Sequence, residues 1–309
     1  MARLRGAAAL LFPVFFGAAL LFFPDVSAAA AREGVALCLQ TVLPSLFPFF
    51  VLSSLLVQSD VPRLLSRAMA GVMYPLFGVS GAGASALILG LLGGYPVGAR
   101  TVAELYGRGE IAREEAEQLL AFCNNSGPGF FLGVCGTAVF GSARAGAYLY
   151  LIHVGAALVT GVLLRRDLGL PRRKAVSRQR APFDLAAALP AAVQGSFTAV
   201  GSVSAFVIFF MVLLRLLSLV PALAALPPLP RAALFGFMEM TNGVNALPAT
   251  RAGFVLCAAI MNWGGLSVQA QTRALLAGSA LSARRCVIGK AVQALAGVPL
   301  ALLAAQRLF

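Results

Sequence analysis

Each half of this chain carries two apolar runs of membrane character that break at glycine-rich polar knots, and the breaks come in the same order. The first half holds Gly93-Gly94-Tyr95-Pro96-Val97-Gly98-Ala99-Arg100, then Asn124-Asn125-Ser126-Gly127-Pro128-Gly129. The second half holds Glu239-Met240-Thr241-Asn242-Gly243, then Asn262-Trp263-Gly264-Gly265-Leu266-Ser267. Unpaired backbone and amide groups are expensive in hydrocarbon, so such interruptions survive where they line a cavity or are buried in protein. Paired interruptions in corresponding places point to a solute site near the bilayer midplane.

The composition agrees with a membrane environment. Of 309 residues, 60% are hydrophobic and 11% charged, with mean hydropathy +0.88. A helix needs about 20 apolar residues to cross the hydrocarbon core. Ala7–Phe23, Gly34–Val57, Ala145–Leu164, Val193–Val220 and Val287–Ala305 approach that length. The expected fold class is therefore an all-α polytopic membrane protein. The formal charge of +13 is concentrated in short loops, which fits the positive-inside rule better than a nucleic-acid partner. Arg165, Arg166, Arg172, Arg173, Lys174, Arg178 and Arg180 crowd one hydrophilic linker, with Asp167 opposing them. That linker is expected on the cytoplasmic side, in contact with lipid headgroups.

Loop charge and segment order define four regions. Residues 1–33 form an N-terminal transmembrane helix or signal anchor, since Arg3 and Arg5 precede an apolar stretch ending near Val26-Ser27-Ala28. Residues 34–165 form a first repeat, 166–185 the basic linker, and 186–309 a second repeat. Each repeat reads as helix, re-entrant hairpin, broken transmembrane helix and helix. With the linker cytoplasmic, the second copy enters the membrane in the opposite orientation, giving an inverted-topology repeat. Pro44 and Pro48 predict a kinked helix. Gly107–Gln118 predicts a surface helix whose Glu110, Glu114 and Glu117 share a solvated side. Arg284, Arg285 and Lys290 are placed at the inner membrane face.

The candidate binding residues are the polar groups of the breaks. Tyr95, Asn124, Asn125 and Ser126 belong to the first half, and Glu239, Thr241, Asn242, Asn262, Ser267 and Gln269 to the second. Asparagine offers donors and an acceptor, so it can cap a broken helix end, bind a polar ligand, or do both. Glu239 is the only carboxylate inside an apolar stretch of either repeat. Such a residue normally faces a cavity, where it suits proton coupling or cation binding; an interfacial position is the alternative. His153 reads as a hydrogen-bonded interior group. Gln269 and Gln271 either line the pathway or bond between helices. Tyr95 and Trp263 either stack on a ring-shaped solute or pack against the breaks. Arg100 either pairs with an anion or anchors its hairpin at the headgroups.

The chain carries no HExxH, P-loop or GxSxG motif, so enzymatic activity is not expected. Cys38, Cys123, Cys135, Cys257 and Cys286 lie apart in apolar sequence and read as small buried hydrophobes. No metal or organic cofactor is expected, leaving H+ or Na+ as coupling ions. The expected partners are a small-molecule substrate and the lipid bilayer, with no nucleic acid; homo-oligomerisation stays open.

The motifs also resemble a known family. Leu43-Pro44-Ser45-Leu46-Phe47-Pro48-Phe49, Gly94-Tyr95-Pro96-Val97-Gly98-Ala99 and Phe122-Cys123-Asn124-Asn125-Ser126-Gly127-Pro128 are similar to the sporulation integral membrane proteins of the YlbJ type. Glu239-Met240-Thr241-Asn242-Gly243 and Trp263-Gly264-Gly265-Leu266-Ser267-Val268-Gln269 share that likeness. These proteins carry the nucleoside-recognition, or Gate, domain. The resemblance implies a relative of concentrative nucleoside transporters, residing in a bacterial cell membrane or forespore membrane. It further implies a secondary transporter of a small, polar, anionic aromatic metabolite such as dipicolinate. A nucleoside carrier on the same scaffold, or a non-transporting membrane scaffold of sporulation, are the alternatives.

Overall fold

A computed structural model describes residues 2–167 and 183–309. The basic linker residues Arg172, Arg173, Lys174, Arg178 and Arg180 lie outside the described residues. Every regular element described is helical. Among the described residues, four segments are long and apolar enough to span a membrane: Ala143–Leu163, Leu185–Leu217, Arg251–Leu276 and Arg284–Leu308. Two sharply bent pairs, Leu10–Phe22 with Pro24–Gln40 and Val61–Phe77 with Gly81–Gly93, bring the total to six if each counts as one span. Large apolar side chains such as Leu151, Phe197, Leu295 and Leu303 point outward from these helices, as lipid contact requires. The chain is an integral, polytopic, all-α membrane protein.

In the first half, α1 (Ala2–Phe22) turns by 101° at Phe23-Pro24 into α2 (Pro24–Leu37). A π turn, Cys38–Val42, leads to α3 (Leu43–Gln58). Pro44 lacks the N–H for a helical bond and its ring crowds the preceding turn, so the expected distortion takes the form of a widened π turn. Next, α4 (Val61–Phe77) bends by 102° into α5 (Ala84–Gly93). The tip Gly94-Tyr95-Pro96, with Tyr95-Pro96 cis, returns the chain as α6 (Val97–Gly107), packed against α5. This pair is the first hairpin.

The region after it corrects one expectation. The charged stretch is helical only from Arg113, in α7 (Arg113–Leu120), and its acids are not one solvated row. Glu115 is buried, and its carboxylate accepts the Ser80 N–H at 2.7 Å. Glu117 accepts from the Ser282 N–H and from Arg113, both at 3.1 Å. The helix breaks after Leu120 and resumes as a π-helical segment, Phe130–Val139. It then folds back as α8 (Ala143–Leu163).

The second half starts with α9 (Leu185–Leu217), which packs along α2 and α3. The short α10 (Pro221–Ala224) precedes the second hairpin, α11 (Pro228–Met238) and α12 (Met240–Asn245). Then α13 (Arg251–Trp263) and α14 (Gly265–Leu276) form one interrupted span, and α15 (Arg284–Leu308) closes the bundle against α8 and α13. The order of long helix, hairpin, interrupted helix and long helix thus occurs in both halves. The two interruptions differ in depth, since the first leaves the helix altogether. The second is a kink at Gly264 and Gly265, with φ of 80° and 82°, a backbone region that side-chain-bearing residues rarely adopt.

A small apolar cluster of Ala30, Val212 and Leu216 ties α2 to α9, and two larger cores form among the described residues. One joins α3, α4, the first hairpin and α7; the other joins the π-helical segment, α8, the second hairpin, α13 and the C-terminal half of α15. The polar residues of both breaks lie where these cores meet.

Candidate functional site: a closed polar cluster between the breaks

The first break places Asn124, Asn125 and Ser126 in the protein interior. Asn125 caps the end of its own turn, donating Nδ2–H to the Phe122 carbonyl at 2.7 Å, and aims Oδ1 into the cluster. The Ser126 backbone N–H donates to His153 Nε2 at 3.1 Å. With that nitrogen accepting, Nδ1 carries the proton and donates to Asn262 Oδ1 at 2.8 Å. A single neutral imidazole on α8 therefore joins the first break to the second. His153 matches its expectation as an interior group, but it also belongs to the cluster.

The second break is capped in a similar way. Tyr95, at the first hairpin tip, extends its hydroxyl to the Met261 carbonyl at 3.4 Å. Gln269 donates Nε2–H to the Trp263 carbonyl at 3.3 Å. Carbonyls at the C-terminus of α13, orphaned by the kink, are met by side chains from both halves. Ser267 accepts from Gln271 Nε2 at 3.1 Å. Asn124 ties the first break to α14 by donating Nδ2–H to Thr272 Oγ1 at 2.9 Å, while its buried Oδ1 has no partner.

The most consequential residue is one that sequence reasoning misplaced. Lys290 was expected at the inner face; it is 0% exposed, almost two turns inside α15. Its Nζ donates to Gln293 Oε1 at 2.7 Å and to Asn125 Oδ1 at 3.2 Å, and lies 4.9 Å from the Tyr95 ring centroid. Gln293 donates Nε2–H to Asn125 Oδ1 at 3.0 Å. Among the described residues no carboxylate pairs with this ammonium. Amide dipoles and a π face hold it instead, which is weak compensation for a charge in low dielectric. The signal was present in the sequence as Lys290 and Gln293, one turn apart inside an apolar span.

Of the ten residues expected to bind solute, Tyr95, Asn124, Asn125, Ser126 and Asn262 surround this cluster, with Ser267 and Gln269 at the second break. Glu239, Thr241 and Asn242 lie at the tip of the second hairpin, beyond the kink. Glu239 is buried there, and its carboxylate accepts from the Thr241 and Asn242 N–H groups at 3.0 and 2.8 Å and from Asn242 Nδ2 at 2.8 Å. That makes it the N-cap of α12. The kink glycines join the two groups: a Cβ on Gly264 would lie 3.1 Å from Tyr95 Oη, and one on Gly265 3.1 Å from Glu239 Cα. Asn242 also lines an outer cavity of about 500 Å³ with Arg215 and Arg231.

Trp263 and Arg100 both make specific contacts within the protein. Trp263 stacks on Phe237 at 5.3 Å and donates to the Phe237 carbonyl at 2.9 Å, fastening the second hairpin. Arg100 is engaged within the protein. It pairs with Glu104 at 2.9 Å, reaches Ser196 at 3.4 Å and lies over the Phe50 ring, linking the first hairpin to α3 and α9.

Two hairpins and two interrupted helices around a buried polar cluster define a polytopic helical membrane protein with an enclosed polar centre. The chain belongs to the nucleoside-recognition (Gate) family, whose profile matches residues 39–211. It is 29% identical over 302 residues to the sporulation integral membrane protein YlbJ of Bacillus subtilis (strain 168), covering 86% of this chain and 74% of that protein. No solved structure matches it significantly.

Proposed function

We propose that the chain is a secondary transporter of a small, polar, anionic aromatic metabolite, and that the cluster around Lys290 is its central binding site. The observation that carries this reading is the buried Lys290 amine, which no carboxylate among the described residues meets. A cation held only by amides gains most from a ligand that brings its own negative charge. Charge-assisted hydrogen bonds contribute about 1.5–3 kcal/mol each, more than the neutral bonds they would replace. Tyr95 supplies a ring face beside that charge, and Asn125, Asn262 and Gln293 supply amide donors and acceptors. Access would alternate by movement of hairpins and interrupted helices about the site, as in other inverted-repeat carriers. We read the chain as a carrier rather than an enzyme.

The relative named for sporulation suggests a role in that process, with a dicarboxylate such as dipicolinate as the first substrate to test. The nucleoside reading has one specific support, the density of amides able to meet sugar hydroxyls. Both are decided by uptake of labelled dipicolinate and labelled uridine into proteoliposomes carrying the folded protein. Saturable dipicolinate accumulation that exceeds uridine accumulation is expected. Uridine alone would favour the nucleoside reading, and accumulation of neither would remove transport of both.

A further inference from the structure

A second cationic feature lies on the same helix as Lys290. A cavity of about 600 Å³ is lined by Arg165 and Arg166, at the end of α8, and by Arg284 and Arg285, at the start of α15. Among its described lining residues Glu117 is the one acid, and its carboxylate is already bonded to Arg113 and to the Ser282 N–H. Arg285 donates one Nη2–H to the Leu164 carbonyl at 2.8 Å, and its buried Nε has no partner. Four guanidiniums thus share one cavity with a single committed carboxylate. Like charges gathered around one cavity favour an anion among them.

The position adds to the argument. Arg165 opens the basic linker, which the positive-inside rule places in the cytoplasm. From Arg285 to Lys290 is five residues of helix, about 7.5 Å of rise. Cys286 and the Asn124 amide lie between the two levels, in contact at 4.0 Å. The Glu117–Ser282 and Gln118–Leu164 hydrogen bonds, at 3.1 and 2.8 Å, tie α7 to the cavity wall.

We propose that this arginine cavity is a cytoplasmic staging site for a soluble oxyanion, a carboxylate or phosphate, which it concentrates one step below Lys290. The site deepens the transport reading by giving it a cytoplasmic antechamber, but its ligand chemistry rests on its own residues. A phospholipid headgroup carries the same oxyanion chemistry, and the test separates the two sources.

All five native cysteines are buried, so Ile288→Cys, at an exposed position on the cavity wall, introduces one reactive thiol. The full-length variant, in nanodiscs of neutral phosphatidylcholine, is reacted with anionic sulfonatoethyl and cationic trimethylammonioethyl methanethiosulfonates. Rates are normalised to free cysteine. Same-sign clefts raise local counter-ion concentration and on-rates about ten-fold or more. The anionic reagent is therefore expected to react at least about ten-fold faster, and millimolar inorganic phosphate to slow it. Arg165→Gln/Arg166→Gln and Arg284→Gln/Arg285→Gln, tested separately, should each lower that ratio. A normalised ratio near one in the arginine-intact protein overturns the proposal. So does protection by anionic lipid in nanodiscs while phosphate has no effect, which would assign the cavity to a headgroup. A preserved ratio in a protein that moves no dipicolinate or uridine counts against the transport reading alone.

Discussion

Replacing Lys290 with methionine tests whether the buried charge serves stability or function. In the closed protein the loss leaves Gln293 Oε1 without its 2.7 Å donor, while Asn125 Oδ1 keeps the Gln293 amide. One unsatisfied buried acceptor costs about 1–3 kcal/mol. The lost contact with the Tyr95 ring costs up to about 2 kcal/mol more. Against these stands the desolvation of an ammonium that lacks a counter-charge, an effective several kcal/mol even after relaxation. A methionine of similar length fills the same space without it. The balance predicts that Lys290→Met is neutral or stabilising, by up to about 4 kcal/mol as in replaced buried ion pairs. Transport of an anion should fall sharply, because one charge-assisted bond of about 1.5–3 kcal/mol corresponds to roughly ten- to a hundred-fold in affinity. Denaturant unfolding in detergent micelles, paired with proteoliposome uptake, measures both quantities on one preparation. Destabilisation of about 3 kcal/mol or more, the signature of breaking a well-compensated structural ion, would refute the reasoning. So would unaltered uptake.

Asn125→Asp should place a carboxylate beside the 3.2 Å ammonium, satisfy it internally and abolish anion uptake while keeping the fold; retained uptake would deny that the charge is the recognition element. Glu239→Ala removes the cap of α12 and should cost about 0.5–2 kcal/mol locally, read as faster amide hydrogen exchange at Thr241 and Asn242 with little change at Tyr95. Gly98→Ala places a Cβ 1.9 Å from the Cys123 carbonyl oxygen, so the first hairpin must be wedged away from the first break; a stability loss of about 1–3 kcal/mol or failure to fold is expected in thermal unfolding.

What the sequence made legible follows from what the bilayer forbids. The interrupted runs at Gly93–Arg100, Asn124–Gly129, Glu239–Gly243 and Asn262–Ser267 are visible because glycine clustered with amide or charged side chains is expensive in hydrocarbon. All four appear as breaks in the helical order. Side-chain direction was less legible. Glu239 stood out by charge alone, yet its carboxylate is used up by three donors of its own turn. Lys290 was read with its arginine neighbours because loop charge and intramembrane charge look alike near a helix end. What separates them is the helix start at Arg284, which puts Lys290 almost two turns inside. Arg100 was open for a similar reason, since nothing local announces that Glu104, one turn on, and Ser196, from the other half, complete its bonds.

The two hairpins are unlike each other in ways that bear on how the cluster opens. At the first, backbone meets backbone: a Cβ on Gly90 or Gly98 would fall 1.9 Å from the Cys123 oxygen, and Tyr95 covers Lys290 while bonding to α13. Displacing it would expose the ammonium and strip a carbonyl of its donor together. At the second, arms of eleven and six residues meet at a tip that Glu239 caps internally, Thr241 and Asn242 are only half-buried, and the outer cavity with Arg215 and Arg231 lies alongside. Its movement would break the Trp263–Phe237 fastening but leave the Lys290 bonds intact. Local opening follows the region with fewer buried contacts, so the second hairpin is the lower-cost route outward from the cluster. Under the proposed transport reading the asymmetry matters, because a charged ligand would have to replace Asn125 and Gln293 around Lys290 before the first hairpin could lift without baring that side chain. Under the transport reading, ligand binding and opening at the first hairpin would be coupled through Lys290.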